Sequence, residues 1–170
     1  MELKPYKTLG KKGESLYEDR RSEFLGCAVP VSSEEEAAEF VRSVKKQHPA
    51  ARHNVWAYVL RDGAERYSDD GEPGGTAGMP TLQVLQREEV TNVCCVVTRY
   101  FGGILLGAGG LVRAYTKGAK IAVDAAGKSL KRVWDVIYLP VPYSWYERMK
   151  QEIAACEGVL RDTQFGADVE

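Results

Sequence analysis

Hydrophobic and polar positions along this chain repeat with two periods, and the longer one is clearest between Ser32 and Pro49. There Ala37, Phe40, Val41 and Val44 recur at helical spacing, Ser32 or Ser33 can cap the segment with a glutamate three residues on, and Pro49 stops it. "NVWAYVLR" at 54–61 carries β-forming residues on both faces. "NVCCVVT" at 92–98 is a continuous apolar run between polar residues, which predicts a strand covered on both sides. Between them a turn-rich loop, "SDDGEPGGTAG", leads into a helix expected from about Pro80, where proline suits the first helical position. "GLVRAYTKGAKIAVDAAG" places Leu111, Ala114, Gly118, Ala122 and Ala125 on one helical face, small enough for close approach to a sheet, and Gly127 ends it. A fresh pattern follows Arg132: strand 134–143, helix 144–156 capped by Ser144 with Glu147 three residues on, and strand 158–166.

The chemistry-bearing segment joins the second strand to the long helix. In "VVTRYFGGILLGAGGLVRAY" the glycines Gly102, Gly103, Gly107, Gly109 and Gly110 lie between Arg99 and Arg113. Gly102 and Gly107 open a Walker-like spacing, but Ala108 and Gly109 stand where lysine and a hydroxyl residue are required. A dinucleotide fingerprint fails at Val112. What survives is a helix N-terminus whose free N–H groups could receive an anion, with Arg99 and Arg113 to neutralise it and Tyr100 or Phe101 to stack a base. A tight strand-to-helix turn with no ligand explains the glycines as well.

The opposing loop offers Asp69, Asp70 and Glu72. They could hold magnesium or act as bases, or they could pair with Arg99 or Arg113 in a structured turn. His53, at a strand start, is the better of the two histidines as a catalytic candidate; neither has an evident Ser or Cys partner. The catalytic candidates are therefore His53, Asp69, Asp70 and Glu72, with none assigned. Cys27, Cys94, Cys95 and Cys156 form no CxxC pair, so no structural zinc is expected, and they read as thiols of a reducing compartment. With no apolar signal segment and no span-length apolar run, a cytoplasmic protein without cofactor is expected. A net charge of −1 hides an asymmetry: residues 1–132 hold 20 Lys and Arg against 17 acids, residues 133–170 hold 3 against 7, and Arg99–Arg132 holds seven bases against Asp124 alone. That run fits either a local basic face or a solvated helix with scattered lysines.

"DDGEPGGTAGMP", "VVTRYFGGILLGAGGLVRAY" and the upstream "ARHNVWAY" together resemble the signature blocks of the IMPACT/YigZ family over roughly residues 15–130. The resemblance implies an α+β chain. Residues 1–132 would form a βαβ domain like a small-subunit ribosomal protein domain and domain IV of elongation factor G, and 133–170 a partial ferredoxin-like βαβ unit. It also implies that Asp69, Asp70, Gly71, Glu72, Pro73, Thr76, Gly78, His53, Tyr115 and the Arg99–Arg113 block line one surface. Translation provides the context, through eukaryotic relatives that tune it under nutrient stress, but no catalytic role comes with the family. Two departures stand out. Glu23 occupies a position where a basic residue is common. The C-terminal part stops after one βαβ unit and the beginning of a third strand, which implies a shortened chain or a sheet completed by a partner, and an uncovered edge there is expected either to self-associate or to pack against the N-terminal domain. The expected partners are RNA, the ribosome or a translation-regulatory protein. A metal-assisted hydrolase or phosphoryl-handling enzyme and a protein-interaction domain are the alternatives.

Overall fold

The computed structural model describes residues 4–166. Its elements run β1 (Tyr6–Leu9), β2 (Gly13–Asp19), β3 (Ser22–Pro30), α1 (Glu34–Gln47), β4 (His53–Val59), β5 (Glu65–Ser68), α2 (Gly78–Arg87), β6 (Val93–Tyr100), α3 (Gly107–Ala126), β7 (Lys128–Lys131) and α4 (Tyr146–Ala155). They fall into two compact units, Met1–Val133 and Trp134–Glu170. The chain is α+β.

In the first unit, five strands form an antiparallel sheet in the order β2-β3-β6-β4-β5, and β1 pairs with β7 apart from it. Both β3 and β4 run antiparallel to β6, which lies between them, so β3, α1 and β4 make a split β-α-β unit with β6 in the slot. Period-two alternation along β6 sends Val93, Cys95 and Val97 to the core under α2 and α3, and Cys94 and Val96 to the core under α1. Covered on both faces, β6 reads as one apolar run for that reason. The paired cysteines are core thiols: burial pushes Cys94 up to about 12 and Cys95 well above its ordinary value.

Local chemistry explains most helix ends. Ser33 caps α1, its Oγ accepting from the Glu36 N–H at 3.3 Å while Glu36 accepts from the Ser32 N–H at 2.6 Å. The helix α2 begins two residues before the expected Pro80, because Asp69 reaches across to accept from the N–H groups of Ala77 and Gly78 at 3.0 and 2.7 Å. The helix α3 begins at Gly107, so Gly109 and Gly110 lie within its first turn instead of preceding it. Its inner face is Leu111, Ala114, Tyr115, Gly118, Ala119, Ala122 and Val123, while Ala125 faces out. That face lies directly on β2 and β3, where a methyl group on Gly13 would overlap the Ala122 carbonyl. Gly127, at φ 66°, closes the helix.

In the second unit, the segments 134–142 and 158–165 flank α4 without forming a ladder; Val141 and Phe165 are isolated bridge positions. In a split β-α-β arrangement the two strands flank a third, and the described residues of this unit supply none. Ser144 sits in a 3-10 turn, Tyr143–Trp145, and does not cap α4, whose first turn follows that turn directly. Trp134, Ile137, Tyr138, Ile153, Val159 and Leu160 line a groove of about 1030 Å³ in this unit.

Candidate functional site

The end of β6 positions the site. Arg99 follows the alternation onto the α3 side of the sheet, where its guanidinium lies 5.6 Å from the Phe24 ring centroid and 5.4 Å from that of Phe101. Its Nη1 donates to Glu72 Oε1 at 2.8 Å, and the Tyr115 hydroxyl donates to the same oxygen at 2.7 Å. The side chains of Arg99 and Glu72 are 7% and 3% exposed. This is a buried ion pair crossed by a phenol, and among the described residues Arg99 Nε has no partner. Burial, reinforced by the Glu72 carboxylate, pushes the Tyr115 hydroxyl far up, so it remains a donor. The three groups tie the acidic loop to the strand and the helix.

The other acids of that loop are held by their own partners. Asp69 accepts from the N–H groups of Gly75, Ala77 and Gly78. Asp70, at φ 44°, accepts from the Asn54 N–H at 2.7 Å and the Lys45 ammonium at 2.6 Å, and its carbonyl accepts from His53 Nδ1 at 2.9 Å. His53 therefore serves to seat the loop on β4. The four catalytic candidates lie in one region, with each carboxylate turned to a different partner. Among the described residues no three His, Cys, Asp or Glu side chains gather to hold a metal ion.

Asp69 makes the loop sensitive to acid. Partial burial pushes its carboxyl up, but hydrogen bonds from Gly75, Gly78 and Ala77 outweigh that and hold it below the ordinary 3.8. A carboxyl depressed in the folded state stabilises above its unfolded pKa, and that contribution is lost as pH falls through the folded value. Asp69→Asn is expected to lower stability by about 1 kcal/mol near neutral pH, as for a helix-capping side chain. Urea denaturation of both proteins should show the difference shrinking as pH drops below 3.8.

The anion-binding candidates divide. Arg99 is consumed by Glu72. Tyr100 lies on the opposite face of the sheet, its hydroxyl 2.9 Å from His48 Nδ1. Arg113 is exposed on the first turns of α3, beside Gly109, and has no carboxylate partner among the described residues. Leu106 stands at the N-cap of α3 with no capping side chain, and the first turn carries no acid, leaving the first-turn N–H groups without a capping partner. Gly103 and Gly107 take positive φ in the loop between. Gly102 instead admits the β2–β3 turn: a Cβ there would overlap the Arg21 carbonyl, and its N–H donates to Ser22 Oγ at 3.2 Å. Arg20 and Arg21, at that turn, border the glycine loop and were not among the expected residues. Two adjacent arginines between alternating strands were the signal. Farther along, the expected basic face is partly neutralised, since Lys120 and Lys128 pair with Glu88.

The Impact N-terminal domain family matches residues 20–123, from the β2–β3 turn through most of α3. The chain belongs to the IMPACT family. The IMPACT family member YvyE of Bacillus subtilis (strain 168) is 38% identical over 170 residues, covering 99% of this chain and 78% of that protein. Protein IMPACT of Danio rerio is 37% identical over 108 residues, 57% of this chain and 32% of that protein. A crystal structure described only as that of a hypothetical protein superposes with a TM-score of 0.74 at 32% identity, covering 98% of this chain and 83% of that one. The matched residues of the IMPACT domain include the acidic loop, the glycine loop and both turn arginines.

Proposed function

We propose that this chain is a non-catalytic regulatory module associated with translation, acting in the cytoplasm, that binds RNA, free or within the ribosome, at the glycine loop and the start of α3. One observation carries the reading. The acidic loop's carboxylates are each tied to protein N–H groups or cations, whereas Arg113 and the first turn of α3 face outward without a pairing acid. Such a surface favours an anion over a cation or an acid–base role. Membership in the IMPACT family supports the translation context by analogy, and the outward-facing cation and helix N-terminus support a phosphate-bearing ligand such as RNA. No helix among the described residues is long and apolar enough to cross a membrane.

Ribosome co-sedimentation and filter binding to structured RNA, over a salt series with Arg113→Ala, test this reading. Binding that weakens with salt and with the substitution supports it. Salt-insensitive binding that survives Arg113→Ala favours the protein-partner alternative, for which exposed Ile104 and Leu105 would be the contacts.

The second unit is the proposed route to self-association. Trp134, Ile137, Tyr138, Trp145, Val159 and Phe165 are all exposed, a density of apolar side chains that monomers rarely present. Sedimentation velocity is expected to show a dimer or larger species for the chain, and Ile137→Lys with Val159→Lys to return it to monomer. A monomeric wild-type chain at high concentration would remove this proposal.

A further inference from the structure

The β2–β3 turn is built from residues that disfavour its geometry. Asp19 pairs with Ser22 across a two-residue turn whose central residues, Arg20 and Arg21, have φ of 45° and 65°. Positive φ at both positions is the hairpin geometry that strongly prefers Asn-Gly, because a β-carbon is strained there. Two arginines at this turn weaken the hairpin relative to Asn-Gly, which points to a use for their side chains outside the fold. Among the described residues no carboxylate pairs with Arg20, Arg21 or Arg113.

The turn is also fastened to the glycine loop. Arg20 Nη1 donates to the Leu105 carbonyl at 3.3 Å, and the Arg21 backbone lies against Gly102. Between turn and helix stands Phe101, 51% exposed, with the Arg99 guanidinium near its ring. Glu18 and Glu23, paired across the hairpin, face the other side of the sheet from Phe24 and Arg99; Asp19, paired with Ser22, lies on the Phe24 side as the one acid of the turn, and it makes no ion pair with the three arginines among the described residues.

We propose that the turn and the Phe101–Leu106 loop form one ridge for single-stranded RNA, with Arg20, Arg21 and Arg113 on successive phosphates and Phe101 stacked on an unpaired base. Three arginines without carboxylate partners, on the turn and the helix that flank a loop carrying one exposed ring, fit a strand that offers phosphates and a free base face together; a duplex hides the second. The inference rests on the RNA reading above and adds to it the turn, the strand state and the stacking residue.

Fluorescence anisotropy of the whole chain with a labelled single-stranded oligouridylate, over a salt series, tests it. Arg20→Asn with Arg21→Gly removes both charges while giving the turn its preferred residues, so this variant should melt at or above the wild-type temperature. Its log K against log salt should lose about 1.4 in slope, at about 0.7 per phosphate contact on single strands. Phe101→Ala should weaken binding roughly 5- to 150-fold with the slope unchanged. Wild-type binding with an unaltered slope in the turn variant overturns the ridge and leaves the RNA reading standing. No wild-type binding to single-stranded, structured or ribosomal RNA overturns both. Equal binding of polyglutamate, indifferent to Phe101→Ala, overturns the ridge in favour of an acidic protein surface.

Discussion

Glu72→Ala is expected to lower the stability of the first unit by about 3–5 kcal/mol, the usual consequence of leaving one member of a buried ion pair alone. The reasons are specific. Arg99 would keep its charge at a site 7% exposed, with Nε already unpartnered, and the Tyr115 hydroxyl would lose its acceptor. For a chain of this size that corresponds to a fall of roughly 6–20 °C in the melting temperature of that unit, read by calorimetry. Replacing both partners, Glu72→Leu with Arg99→Met, should recover part of the loss, because it removes the two desolvated charges together while the Tyr115 hydroxyl stays without its acceptor. A single-variant loss below about 1 kcal/mol would mean that Arg99 reaches water when freed, and that the acidic loop is not held by this pair.

Gly102→Ala is the second large effect. The added methyl would collide with the Arg21 carbonyl, which belongs to backbone and cannot rotate away. Either the β2–β3 turn or the glycine loop must move. Overpacking of this kind costs about 1–3 kcal/mol, and here it also separates Arg20 from the Leu105 carbonyl. Chemical denaturation and RNA affinity should fall together in this variant. In Gly103→Ala, where no atom stands within 4 Å but φ is 84°, the backbone strain should act without displacing the turn. Equal effects of the two substitutions on binding would contradict the close-approach argument.

The parts that local rules govern were readable from the chain. Ser33, Glu36 and Pro49 bound α1 through contacts a few residues long, and β6 announced its burial as an unbroken apolar run. The β2–β3 hairpin escaped because its turn lacks Gly, Asn or Pro, and because Gly13 and Gly26, which let α3 approach, interrupt the β-formers. The pairing of Glu72 with Arg99 spans 27 positions, and spacing carries no information about such a partner, although a lone arginine ending an apolar strand was a hint. Strand parity alone separates Tyr100 from Arg99 and could have removed Tyr100 from the anion-binding group. The start of α2 depended on Asp69 reaching across the loop, eight residues before the N–H of Ala77, and no helix-start signal covers that distance. In the second unit the alternation around Ile137 and Val159 marked β-forming segments, but a ladder needs a neighbour that the described residues of that unit do not provide.

The most direct test of the account is an amide chemical-shift titration of the isotopically labelled chain with a single-stranded RNA at low salt. Perturbations are expected to cluster at Arg20–Ser22 and Phe101–Arg113, fade as salt is raised, and spare the acidic loop's contacts with β4. Perturbations centred on Asp69, Asp70 and His53, on the groove of the second unit, or nowhere at all would contradict it.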